Sequence, residues 1–208
     1  MREVLPGLFH WATFHEQIGV QVSSYYVEPA GIVIDPKVPE EGLEALPGEP
    51  HQVVLTSGHH HRDAQRFAEA LDIPIRASHE AAERLGDALA VEPFGDHDEV
   101  AQGVTSIHIG KLSADEGALH IAVGEGAIAF ADGLNRYGEA LAFFPDELLG
   151  DHPDRVKDGL KQAFLGLLTR DFDHLLFAHG EPLIGGGKAA LRDFATSPVG
   201  HEDFGQAL

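Results

Sequence analysis

Three consecutive histidines, His59, His60 and His61, are followed directly by Arg62 and Asp63. Imidazole is the commonest protein metal ligand, and a run of imidazoles beside a carboxylate has the composition of a metal site. Other metal-competent residues share the local context. Asp35 follows Ile32-Val33-Ile34, Asp132 follows Ile128-Ala129-Phe130-Ala131, and His179 follows Leu175-Leu176-Phe177-Ala178. The histidine run itself follows Val53-Val54-Leu55 and a Ser57-Gly58 break. A carboxylate placed among apolar residues is costly unless it sits at the strand's mouth or is paired. One such residue alone reads as a cap or a loop bond, and three histidines in a solvated turn need do no chemistry. Four at corresponding strand ends point to a shared site.

The elements that must position these residues read as a layered α/β protein. Val20–Val27 and Ile32–Ile34 are strands joined through Pro29-Ala30-Gly31, which suggests a mixed or antiparallel sheet. A short helix is expected around Glu40–Leu46. The strand at Gln52–Thr56 then leads through the histidines into an amphipathic helix, with Ala64, Phe67, Ala68 and Leu71 on one face. A short strand at Ile73–Ala77 follows, and Ser78 caps a second helix running to about Leu85. Strands return at Glu99–Ala101 and Val104–Ile109, and Ala118–Val123 pairs with Ala127–Ala131 as a hairpin. A long helix spans about Pro153–Thr169, a last strand runs over Asp173–Phe177, and a closing helix follows Gly185–Gly187. Residues 1–208 read as one domain with a loose tail from about residue 197. Two β-rich halves, each ended by helices, imply two sheets packed face to face with helices outside.

Composition narrows the chemistry. The absence of cysteine excludes disulfides, thiolate nucleophiles and Cys-ligated zinc. Any metal must be held by His, Asp or Glu, which suits zinc first, then iron, manganese or nickel. With 34 acidic against 14 basic residues the formal charge is −20, which argues against nucleic-acid binding. No apolar stretch approaches the ~20 residues of a membrane span, so a soluble, cytoplasmic protein acting on a small molecule is expected, with homo-oligomerisation left open. The remaining histidines, His10 among them, read as structural or surface residues.

The order and context of these motifs resemble the metallo-β-lactamase superfamily over nearly the whole chain. Ile34-Asp35-Pro36 is similar to that family's early aspartate turn, and Ala129-Phe130-Ala131-Asp132 to its strand ending in a metal-bridging carboxylate. Ala178-His179-Gly180 is similar to its late G-H-G segment. The stretch Thr56-Ser57-Gly58-His59-His60-His61-Arg62 stands at the T-H-x-H-x-D-H signature, so Ser57, His61 and Arg62 replace a His, the Asp and a His. Lys111, after Ile109-Gly110, stands where a further ligand His is expected.

The resemblance implies a four-layer αββα sandwich and a metal-dependent hydrolase of an ester, lactone, thioester or phosphoester. The substitutions imply at most one divalent metal, held by His59, His61, Asp132 and His179, with His60 and Asp63 as replacements if the register differs by one. Asp132 would also orient the attacking water, and Lys111 or Arg62 would stabilise the oxyanion. Lys111 would then lie beside Asp132 and compete with the metal for it. A metal-free relative that binds a small molecule or partner is the alternative, and metal-dependent redox chemistry a third reading.

Overall fold

The strands alternate side chains between two faces, and that alternation builds the layers. The computed structural model describes residues 1–198, so most of the expected loose tail lies outside the described residues. The first sheet contains β1 (Arg2–Leu5), β2 (Leu8–His15), β3 (Val20–Val27), β4 (Ile32–Ile34), β5 (Gln52–Val54), β6 (Ile75–Ser78) and β7 (Glu92–Phe94), in that spatial order. Pairing is antiparallel from β1 to β4 and parallel from β4 to β7. Parallel neighbours need crossover connections. Two of these are helices, α1 (Ala64–Leu71) between β5 and β6, and α2 (His79–Leu85) between β6 and β7. Ser78 caps α2 by accepting from the Ala81 amide.

The second sheet contains β8 (Glu99–Ala101), β9 (Val104–His108), β10 (Gly117–Ile121), β11 (Ala127–Phe130) and β14 (His174–Phe177). β14 occupies an edge, parallel to β11 and reached through the long helix α3 (Pro153–Leu167). A small hairpin of β12 (Asn135–Tyr137) and β13 (Ala140–Ala142) intervenes, and α4 (Gly187–Thr196) closes the described chain.

Three apolar clusters show how the layers stack. Ile32, Ile34 and Val54 of the first sheet pack with Leu119, Ala129 and Leu176 of the second. Val33 and Val53, on the opposite pleat, pack against Phe67 of α1 and Ala81 of α2. On the far side, Ile128 and Phe177 pack against Phe164 of α3 and Leu191 of α4. Helix, sheet, sheet and helix therefore follow one another, as expected for the sandwich. Between the sheets, the buried Tyr25 hydroxyl donates to the Phe177 carbonyl at 2.9 Å and accepts from the Phe177 amide at 3.0 Å. Leu175 and Leu183 exchange both backbone hydrogen bonds on β14, at 3.0 and 2.8 Å.

The expected helix near residues 40–46 is instead a short 3₁₀ turn at Leu43–Ala45. Glycines 42 and 48 and prolines 39 and 47 crowd this segment, leaving too few residues for a helix to nucleate. The β12–β13 hairpin and β1 were not anticipated by the sequence pattern. Among the described residues, no helix is long and apolar enough to cross a membrane.

Candidate functional site

The C-terminal ends of β4, β5, β11 and β14 place side chains at one edge of the sandwich. β11 and β14 run in parallel register with Phe130 beside Phe177, so two residues further on Asp132 lies beside His179. Their side chains meet, with His179 Nε2 3.3 Å from Asp132 Oδ1. His60, from the loop after β5, reaches the same oxygen, Nε2 standing 3.1 Å away. The ligand atoms of His60, Asp132 and His179 all lie within 4.8 Å of one another.

The histidine run resolves into one inward and two outward residues. Gly58–His60 forms a 3₁₀ turn, in which successive side chains point about 120° apart. Only one of three neighbours can then face the core. His60 is 4% exposed, whereas His59 and His61 face solvent. His61 turns its Nδ1 back to the Gly58 carbonyl at 3.0 Å. Of the residues expected to share the site, Asp132 and His179 come together, His60 joins them, and His59 and His61 stand apart. Asp63 lies elsewhere too, accepting from the Val38 amide at 2.8 Å and pairing with Lys37 at 3.5 Å.

Behind His60 stands Asp35. Its Oδ1 accepts from the Thr56 amide at 2.8 Å, and its Oδ2 accepts from the Thr56 hydroxyl at 2.5 Å. The same Oδ2 is 3.0 Å from His60 Nδ1. Because a carboxylate only accepts, Nδ1 must carry a proton, and Nε2 is left facing Asp132. Burial opposes a charge on this imidazole, but the Asp132 and Asp35 carboxylates override it and raise the pKa to about 9. For Asp132, burial acts against ionisation, yet the His60 charge and the hydrogen bonds from His179 and His60 hold it far below the usual carboxylate range.

The backbone at the site leaves little latitude. Asp35 and Arg62 both adopt positive φ, 46° and 36°, which non-glycine residues rarely do. The Arg62 guanidinium is taken up by carbonyls, Nη1 donating to Ser23 at 2.6 Å and to Asp35 at 2.7 Å. It is thus not presented to a substrate as an oxyanion donor. Gly180 has φ 108°, and a methyl there would stand 1.9 Å from the Arg136 carbonyl oxygen. Phe144 meets the His179 ring edge-on, with centroids 5.4 Å apart.

Lys111 does not enter the site. It is exposed, and its Cδ would stand 3.2 Å from a methyl placed on Gly159 of α3, so the chain runs along that helix. The expected competition with a metal for Asp132 therefore has no geometric basis. Ser57, another departure from the signature, donates to Asp115 at 3.0 Å, and Asp115 pairs with Arg84 at 2.8 Å. A neutral hydroxyl and a carboxylate already paired with Arg84 thus occupy this ground.

Glu116 was missed by sequence reasoning. In the β10–β11 register Ala118 faces Phe130, so two residues on Glu116 faces Asp132. Its carboxyl accepts from the Leu112 amide at 2.9 Å and is 3% exposed. Burial raises its pKa to about 7, with Asp132's charge adding to the effect and amides of Leu112 and Lys111 moderating it. The hairpin register, readable once the strands are paired, was the signal.

Two imidazole nitrogens and one carboxylate oxygen suit a single borderline divalent cation, and His60 carries the carboxylate partner that metal-bound histidines typically have. The donor set fits one cation and not two.

The sequence matches no family model and no curated protein. Solved structures do match. The DIM-1 metallo-β-lactamase superimposes with a TM-score of 0.69 at 13% identity, covering 93% of this chain and 94% of that one. A metallo-β-lactamase from Cronobacter sakazakii with a HARLDQ motif gives 0.56 at 20% identity, covering 85% and 76%. A mutant flavo di-iron protein from Thermotoga maritima gives 0.61 at 14% identity, covering 90% of this chain and 58% of that one. With the layer order and the strand-end site already in place, these likenesses establish that the chain adopts the metallo-β-lactamase fold.

Proposed function

We propose that the protein is a metal-dependent hydrolase in which His60, Asp132 and His179 hold one divalent cation, zinc by preference. The observation that carries this reading is the convergence of three ligand atoms within 4.8 Å from three separate strand-end loops. A bound cation of this kind would lower the pKa of a coordinated water towards ~7 and polarise a carbonyl or phosphoryl oxygen. Asp35 and Thr56 fix the tautomer of His60, so that Nε2 is the nitrogen offered to the site. Asp132 would bind the cation and orient its water. Phe144 supplies an apolar wall beside His179. Glu116, with a pKa near 7, can exchange a proton at neutral pH from behind Gly133. The substrate is a small ester, lactone, thioester or phosphoester.

One observation favours a second reading, a metal-free protein that binds a small molecule. An imidazolium at His60 already lies between two carboxylates, 3.0 and 3.1 Å away, and this arrangement needs no cation to be complete. Zinc titration into chelator-treated protein separates the two. Hydrolase function expects one equivalent bound, lost in His179→Ala, together with turnover of at least one ester, lactone, thioester or phosphodiester probe. No zinc uptake and no turnover across that panel would sink the hydrolase and leave the binding protein.

A further inference from the structure

We infer that Arg62 is a positioning residue that holds the two halves of this site in register; the inference rests on the site proposed above. The side chain lies between the sheets' strand ends, and each of its contacts is a backbone carbonyl. Nη1 donates to Ser23 of β3 at 2.6 Å and to Asp35 at 2.7 Å. Nη2 makes a longer contact of 3.5 Å with the Ala178 carbonyl. Asp35 is the residue that orients His60, and Ala178 immediately precedes His179. One guanidinium therefore spans from the backbone of the residue behind one imidazole to the backbone beneath the other.

The segment carrying His179 is held at three successive carbonyls. Ala178 accepts from the Ser23 amide at 2.8 Å as well as from Arg62, and His179 accepts from the Arg136 amide at 3.1 Å. Gly180 accepts from the Ser23 hydroxyl at 2.9 Å. Arg62 binds the carbonyl of that same Ser23, so it and Ser23 grip the 178–180 turn as a unit. The left-handed backbone at Arg62 (φ 36°) is the conformation that this grip maintains. A planar fork presents donors on separate nitrogens in fixed directions, whereas an ammonium's three donors diverge from a single atom and cannot span acceptors so far apart. Burial penalises the charge, and the nearby Asp35 and Asp132 carboxylates oppose that penalty. The guanidinium's charge thus lies close to both Asp35 and Asp132.

The test compares Arg62→Gln and Arg62→Lys with the parent protein. Three quantities are read: zinc affinity by competition with a chromophoric chelator, thermal midpoint, and the ¹⁵N ring signals of His60 and His179 in metal-free protein. Arg62→Gln is expected to weaken zinc binding about 10- to 100-fold, the range seen when outer partners of metal ligands are removed. Both rings should shift, and Arg62→Lys should recover part of the affinity. A lower midpoint with unchanged zinc affinity and unchanged ring signals would reduce Arg62 to a general structural role and overturn the inference. Should the glutamine variant fail to fold, the lysine variant decides by the same readouts: unchanged affinity and rings again overturn it. If the parent binds no zinc, the hydrolase proposal falls, and the ring signals alone decide the role of Arg62.

Discussion

His10 and His60 are buried to a similar degree, 2% and 4% exposed, yet their charge states diverge. His10 has its Nε2 3.0 Å from the neutral Ser23 hydroxyl. Burial, helped by the charge of Arg2, lowers its pKa to about 4. Glu181 stands 4.0 Å from its Nδ1 but is paired with Arg2. His60 suffers the same burial, and two carboxylates more than reverse it. Burial therefore discharges a histidine unless acids are built around it, and only the second histidine has them. Such a concentration of charge at a strand edge needs explaining, whereas His10 is a satisfied structural residue.

Removing one acid should collapse the contrast. Asp132→Asn replaces the ligand carboxylate by a neutral amide and removes the charge that acts most strongly on His60. Zinc affinity should fall by more than the roughly 100-fold that outer partners command, and the His60 pKa should drop below 9. A chelator competition titration and an NMR pH titration read these, and an Asn variant binding as tightly as the parent would break the assignment.

The His10 side of the comparison is a stability effect. Its folded pKa of about 4 lies below the ordinary 6.5, so between those values the unfolded chain binds the extra proton. Stability is then full above about pH 6.5 and is lost as pH falls towards 4, by about 2 kcal/mol between pH 7 and 5. Glu116 acts with the opposite sign, its contribution present below 4.5 and lost as pH rises to about 7. Denaturant unfolding of His10→Gln beside the parent cancels the Glu116 part. Equal pH slopes for the two proteins would show that His10 is not held neutral.

Zinc and a proton compete for Nε2 of His60, so affinity should rise about tenfold per pH unit between 7 and 9, with a proton released on binding. Isothermal titration in buffers of different ionisation enthalpy counts that proton, and a pH-independent affinity would mean that His60 is not a ligand. The smallest effect is expected at Lys111. With its side chain along α3, Lys111→Ala should change stability by no more than about 0.5 kcal/mol and leave zinc affinity alone. A clear gain in affinity would return Lys111 to the site.

Much of this architecture was legible because apolar runs and their polar terminators repeat. Asp35, Asp132 and His179 were each marked by an apolar strand ending in one metal-competent residue, and all three lie at the predicted edge. The histidine run could not be resolved the same way. Choosing His60 over its neighbours depends on a 3₁₀ turn whose phase is set by Ser57 accepting from the His59 amide, a bond invisible in composition. Arg62 and Lys111 were both read as cations near an oxyanion, since sequence position fixes a backbone and not a side-chain direction. Glu116 went unnoticed because its significance comes from a cross-strand partner sixteen residues away along the chain.

The Tyr25 hydroxyl has a consequence for how the molecule keeps to itself. β14 is an edge strand, and edges with free amides and carbonyls invite another chain to add a strand. Both backbone groups of Phe177 are satisfied by one phenol, and those of Leu175 by Leu183. The rim that carries His179 to the site is thereby closed to strand addition. A phenylalanine at position 25 would keep the ring but strip both backbone groups of Phe177 of their partner, removing the cover that the phenol gives that edge.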